Sequence, residues 1–172
     1  MATILGIDPG SRKTGFGVVR VEQGKPHYVS SGVIRLPVSE PLGPRLGVLF
    51  ASLNEIIDLH APDELAIEQV FLARSADAAL KLGQARGAAM VACVQRGLSV
   101  HEYAARQIKQ AVVGTGAANK EQVQHMVKTL LGLPAAPKED AADALATALC
   151  HIHTSQTLKR LPAASLSRGR LR

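Results

Sequence analysis

Four acidic side chains sit where their spacing could do chemistry. Asp8 ends the apolar run Thr3-Ile4-Leu5-Gly6-Ile7 and is followed by Pro9 and Gly10, which stop a strand and turn the chain away. Glu68 ends Leu65-Ala66-Ile67 in the same manner. If these strands are neighbours, the two carboxylates converge at one edge of a sheet. Asp140 and Asp143, three residues apart in a helical stretch, project within about 60° of each other. Carboxylates held together repel and raise one another's pKa unless cations occupy the site, and Mg²⁺, an oxygen-seeking ion bound through few carboxylates and substrate phosphates, is the natural candidate. Two such ions could activate water and stabilise the leaving oxygen in phosphodiester hydrolysis. Taken singly, each acid has a plainer role: Asp8 as a turn former, Glu68 as a surface strand end, Asp140 as an N-cap with Asp143 answering the helix dipole.

Positioning these acids requires a sheet and a helix. Thr3 to Asp8, Gly15 to Val21 and His27 to Leu36 read as three β-branched, apolar strands, which in sequence suggest an antiparallel meander. Apolar residues at 42, 46, 49, 50, 53, 56 and 57 predict a helix over Leu42 to Leu59 that packs on that sheet. A short strand ending at Glu68, a helix from Ala76 to Gln95 and a strand from Leu98 to His101 form a βαβ rhythm, hence parallel pairing. Further helices are predicted over Ala104 to Val113, Glu121 to Leu131 and Asp140 to His151. Gly83 and Gly87, flanked by alanines, leave one helix face nearly free of side chains, open either to self-association or to close packing on the chain's own sheet.

The balance of residues fits this plan. With 172 residues, 47% hydrophobic and 20% charged, the chain suits a single globular domain, expected over 1–156, and whole-chain disorder is excluded. Residues 157–172 carry 5 basic and no acidic groups and lack periodicity, so a basic, disordered tail is expected. The longest apolar run, around Ala88 to Val94, is far short of the ~20 residues that span a bilayer, and Met1 to Gly6 has no secretory pattern, so a cytoplasmic protein without membrane contact is expected. Cys93 and Cys150 lie among apolar residues as reduced core side chains. Residues 1–68 have a net charge of −2 and 69–138 of +6, a separation suited to a site that handles both a cation and a polyanion.

The segments Ile4-Leu5-Gly6-Ile7-Asp8-Pro9-Gly10, Ala66-Ile67-Glu68-Gln69-Val70-Phe71 and Asp140-Ala141-Ala142-Asp143-Ala144-Leu145-Ala146 resemble the RuvC Holliday-junction resolvases. Leu82-Gly83-Gln84-Ala85-Arg86-Gly87 and Tyr103-Ala104-Ala105-Arg106-Gln107-Ile108-Lys109 extend the likeness over nearly the whole chain. The resemblance implies an α/β, ribonuclease-H-like fold whose mixed five-stranded sheet, three antiparallel strands followed by parallel ones, is flanked by helices. It also implies that Asp8, Glu68, Asp140 and Asp143 are catalytic metal ligands, with two Mg²⁺ per subunit and Mn²⁺ as a substitute. The expected activity is resolution of four-way junctions in recombination and repair by a homodimer. Paired symmetric nicks would leave 5′-phosphate and 3′-hydroxyl ends, in cooperation with the RuvA and RuvB branch-migration proteins.

Arg74, Lys81, Arg86, Lys109 and Lys120 supply cations for a DNA strand entering the acidic site, and the resemblance singles out Lys109 and Lys120. Phe71, by the same resemblance, stacks on a base unpaired at the junction; core packing is the plainer role. Gly114 to Lys120 lacks the GK[ST] ending of a phosphate loop, and His151 and His153, two apart, point in different directions and read as ordinary surface or helix-end residues. Two alternatives stand beside the nuclease reading. One is an actin-like or sugar-kinase-like nucleotide-binding protein, suggested by the turn after Asp8 but disfavoured by length; the other is a junction-binding scaffold without catalysis.

Overall fold

The structure is a computed structural model and describes residues 1–70 and 75–160. The elements follow in the order β1 (Ala2–Asp8), β2 (Lys13–Glu22), β3 (Lys25–Arg35), α1 (Leu42–His60), β4 (Glu64–Gln69), α2 (Ala76–Gln95), β5 (Ser99–Ala104), α3 (Ala105–Val113), α4 (Lys120–Leu130) and α5 (Glu139–Arg160). The strands form one sheet in the order β3-β2-β1-β4-β5. The meander expected of the first three strands is present, since β1 pairs antiparallel with β2 and β2 with β3. The βαβ rhythm gives its parallel pairs, β1 with β4 and β4 with β5. The β1–β4 register is pinned where Asp63 accepts a hydrogen bond from the Thr3 amide at 2.7 Å and its own amide donates to the Thr3 carbonyl at 2.8 Å.

Alternation along the strands divides the core into two layers. Leu5, Ile7, Leu65 and Ile67 point to one face and pack with Leu49, Leu53 and Ile57 of α1 and Ala85, Ala89 and Cys93 of α2. Ile4, Ala66 and Tyr103 point to the other, against Ile108 and Val112 of α3, Val123 and Val127 of α4 and Leu145, Leu149 and Ile152 of α5. The same alternation puts Asp8 and Glu68 on the α5 face.

Close contact between α5 and the sheet is made possible by glycine. A Cβ on Gly6 of β1 would lie 2.1 Å from the Ala144 carbonyl oxygen, and one on Gly15 of β2 would lie 2.0 Å from that of Asp140. Any side chain at either position would collide with peptide backbone, so α5 rests on bare strand.

Several boundaries differ from the sequence reading. β5 extends through Tyr103 and Ala104, where a helix was expected to begin, because Glu68 and Gln69 continue the pairing opposite them. α5 runs without a break through residues 157–160, past the boundary expected at 156; residues 161–172 lie outside the described ones. His151 is buried in the middle of α5, not at a surface or helix end. On α2 the buried side is Ala85, Ala89, Ala92 and Cys93, while a Cβ on Gly83 or Gly87 would meet nothing within 4 Å. These two glycines do not pack on the chain's own sheet. Among the described residues no helix is long and apolar enough to cross a membrane.

Candidate active site

Asp8 and Glu68 end adjacent parallel strands. Ile7 pairs with Ile67, so the next residue of each strand stands level with the other at the same sheet edge. α5 brings Asp140 and Asp143 over that edge from its first turns, held there by the Gly15 contact with the Asp140 carbonyl. The four carboxylates seen in the sequence therefore come from β1, β4 and α5 and lie close enough for Asp8 to feel the charges of the other three.

Their electrostatics record the crowding. Burial, then the neighbouring charges of Glu68, Asp143 and Asp140, push the Asp8 carboxyl up to about 8. Burial and Asp143 raise Glu68, which Lys109 opposes; burial, Glu139 and Asp140 raise Asp143, opposed by Lys120 and Lys109. Carboxyl groups so disfavoured as anions are what a divalent cation would relieve, and all-oxygen donors are the type that suits Mg²⁺. No three of the four offer ligand atoms within 4.8 Å of one another.

Cations stand beside two of these carboxylates. Glu68, Asp143, Lys109 and Lys120, with Ala105, Ile108 and Val123, enclose a pocket of about 200 Å³. A larger cavity of about 520 Å³, between β3 and residues 133–141, is lined by no carboxylate side chain. Lys120 opens α4 just after Asn119, whose side chain accepts from the Gln122 backbone amide at 2.9 Å while the Gln122 side-chain oxygen accepts from the Asn119 backbone amide. The segment from Gly114 to Lys120 is thus a helix-to-helix connection, consistent with the rejection of a phosphate loop there.

Other expected DNA contacts are engaged elsewhere or lie outside the described residues. Lys81 pairs with Asp77 at 2.7 Å on exposed α2. Arg86 donates from Nε to the Glu68 carbonyl at 3.0 Å and pairs with Glu102, so it braces the end of β4. Phe71 and Arg74 are outside the described residues. Sequence reasoning missed Lys13, whose ammonium donates to Asp140 at 2.6 Å, and Glu139, which pairs with Lys120. The only sign of Lys13 was its place in the turn after Asp8; Glu139 gave none beyond adjacency to Asp140.

The family description "Crossover junction endodeoxyribonuclease RuvC" matches residues 4–151. The chain is 60% identical over 172 residues to the protein of that name from Saccharophagus degradans, covering 99% of each chain. It is 61% identical over 174 residues to the one from Tolumonas auensis, covering all of both. Among solved structures it is similar to Thermus thermophilus RuvC in complex with a Holliday junction substrate, with a TM-score of 0.86 and 37% identity over 91% of this chain and 96% of that one.

Proposed function

The chain belongs to the RuvC family of crossover junction endodeoxyribonucleases, which resolve Holliday junctions in recombination and repair, and from that premise we propose that Asp8, Glu68, Asp140 and Asp143 are its catalytic metal ligands. Membership sets aside the nucleotide-binding and non-catalytic readings. The observation that carries the site is the meeting of four carboxylates from β1, β4 and α5 at one sheet edge, with Asp8 protonated near neutrality when no cation is present. Mg²⁺ held by them, two ions per subunit with Mn²⁺ able to replace them, would supply an activated water and neutralise charge developing on the phosphate. The protein does the rest. Lys109 and Lys120 hold the incoming phosphodiester beside Glu68 and Asp143, Lys13 orients Asp140, and Arg86 fixes the strand end that carries Glu68. Hydrolysis there leaves 5′-phosphate and 3′-hydroxyl ends.

Two symmetric nicks need two such clefts, and α2 supports a homodimer. Leu80, Gly83, Gly87, Val91 and Val94 fall along one stripe of that helix, with Leu80 67%, Val91 51% and Val94 56% exposed and open space above both glycines. A second copy seated on this stripe would place one active site on each side of a two-fold axis. RuvA and RuvB are the proposed partners, Phe71 is the proposed base-stacking wedge, and Arg74 and Lys81 are proposed as outer phosphate contacts. The basic segment that follows α5 is proposed to add sequence-independent attraction to DNA.

A synthetic four-way junction, incubated with Mg²⁺ or with a chelator, tests the reading. Asp8→Asn, Glu68→Gln, Asp140→Asn and Asp143→Asn should each bind the junction at least as tightly as the wild type and lose cleavage, because each removes a ligand and, under Mg²⁺, a negative charge together. Near-normal cleavage by Asp8→Asn or Glu68→Gln would refute the assignment.

A further inference from the structure

We propose that Glu64, His101 and His151 form a second metal site, for zinc or a similar borderline divalent ion, at the end of the sheet opposite the catalytic carboxylates. Among the described residues this is the one group of three whose ligand atoms all lie within 4.8 Å of one another. The His101 and His151 Nε2 atoms each stand 2.9 Å from the same oxygen, Oε2 of Glu64. The two rings stack with centroids 4.3 Å apart. Two imidazoles and a carboxylate are a donor set that suits zinc, and bonds of about 2.0–2.1 Å in a tetrahedral site put donors roughly 3.3 Å apart, within a small adjustment of the spacing here.

The surroundings support ligation. The Tyr103 hydroxyl lies 2.7 Å from Nδ1 of His151, a partner that fixes the ring's orientation and its tautomer. Without metal, the Nε2–H of His151 donates to Glu64 and Tyr103 donates to Nδ1, while His101 Nε2 stands against the same Glu64 oxygen and within 3.4 Å of Ser99 Oγ. On metal binding, the His151 imidazole stays neutral with its proton moved from Nε2 to Nδ1, and Tyr103 becomes the acceptor. Lys159 opposes a cation from nearby, but Glu64 is closer. The group borders an open cavity of about 530 Å³, which leaves room for a water as the fourth ligand. The three donors come from β4, β5 and α5, so an ion would clamp the long helix to the sheet.

The test uses the full chain, stripped by chelator and then kept in excess Mg²⁺ so that the catalytic carboxylates are occupied. Zinc uptake is read by competition with a chromogenic indicator, and Co²⁺ substitution by its visible spectrum. The expected result is one zinc per chain, unchanged in Asp8→Asn, lost in His101→Ala, and weakened by about 10–100-fold in Tyr103→Phe. Zinc at a hundred times its Kd should raise Tm by about 5–10 °C in the wild type and not in His101→Ala. His101 is partly exposed, so the metal-free Tm and Mg²⁺-dependent cleavage of His101→Ala should match wild type, separating a failure here from a failure of the catalytic assignment. No zinc uptake by wild type in excess Mg²⁺, or equal uptake by wild type and His101→Ala, overturns the proposal.

Discussion

Removing metal should make the protein less stable as the pH rises. The folded chain keeps a proton on Asp8 up to about pH 8, whereas the unfolded chain releases it near 3.8. Between those values the unfolded state binds fewer protons than the folded one, so unfolding becomes easier with each unit of pH. At about 1.4 kcal/mol per unit, the interval from 3.8 to about 8 bounds the loss at roughly 6 kcal/mol. Water entering the open cleft reduces that bound, and a loss of about 3 kcal/mol is expected, equivalent to a fall in Tm of about 6–12 °C for a chain of this size. Glu68 and Asp143, raised in the same direction, act with the same sign. Differential scanning calorimetry in chelator, from about pH 5 to about pH 9, measures it. The wild type should lose stability over that range, Asp8→Asn should lose less and melt above wild type at the alkaline end, and Mg²⁺ should restore the wild type without restoring the variant. A wild-type Tm that is flat or rising with pH in chelator would refute the reasoning.

Three further outcomes are expected. Gly15→Ala, whose Cβ would lie 2.0 Å from the Asp140 carbonyl, should lift α5 from the sheet, cost about 1–3 kcal/mol in calorimetry and reduce cleavage beyond what the loss of folded protein accounts for. Lys109→Ala and Lys120→Ala should each lower the salt dependence of junction binding by about one phosphate contact, read as a slope change of about 0.9 in a log–log titration. If α2 carries the proposed dimer contact, Leu80→Glu should shift the protein from dimer to monomer in sedimentation analysis without lowering the monomer's Tm, because residue 80 is 67% exposed.

The sequence displayed those parts of the fold whose signals are local. Asp8-Pro9-Gly10 and the abrupt charge after Leu65-Ala66-Ile67 marked two strand ends, and the parallel pairing that makes them neighbours followed from the βαβ rhythm. α2 has the bounds its periodicity suggested, because Ser75 caps it by accepting from the Ala78 amide. Contacts that depend on the third dimension were not legible. His101 and His151 are 50 residues apart and meet only because α5 folds back over β4 and β5. Without that fold, His151 had only His153 for company, and two-residue spacing in a helix gave the wrong neighbour. The last turn of α5 was hidden for a related reason. Residues 157–160 have no apolar period, and they continue a helix begun by the buried residues before them.

The seat of α5 on Gly6 and Gly15 sets how the cleft can move. A helix resting on side chains can drift as rotamers change, but peptide against peptide offers no soft layer to yield. Slipping α5 by one residue would advance it about 1.5 Å and turn it by about 100°, carrying Asp140 and Asp143 off the sheet edge. Small adjustments of the helix are therefore closed, and the alternative is to unseat it altogether. The carboxylates of β1 and α5 keep their spacing for as long as the chain is folded, so Asp8 and Asp143 share the lifetime of the native state rather than that of a loop. Backbone amides of Ala144 and Ala148, next to that contact, should exchange with solvent only through global unfolding.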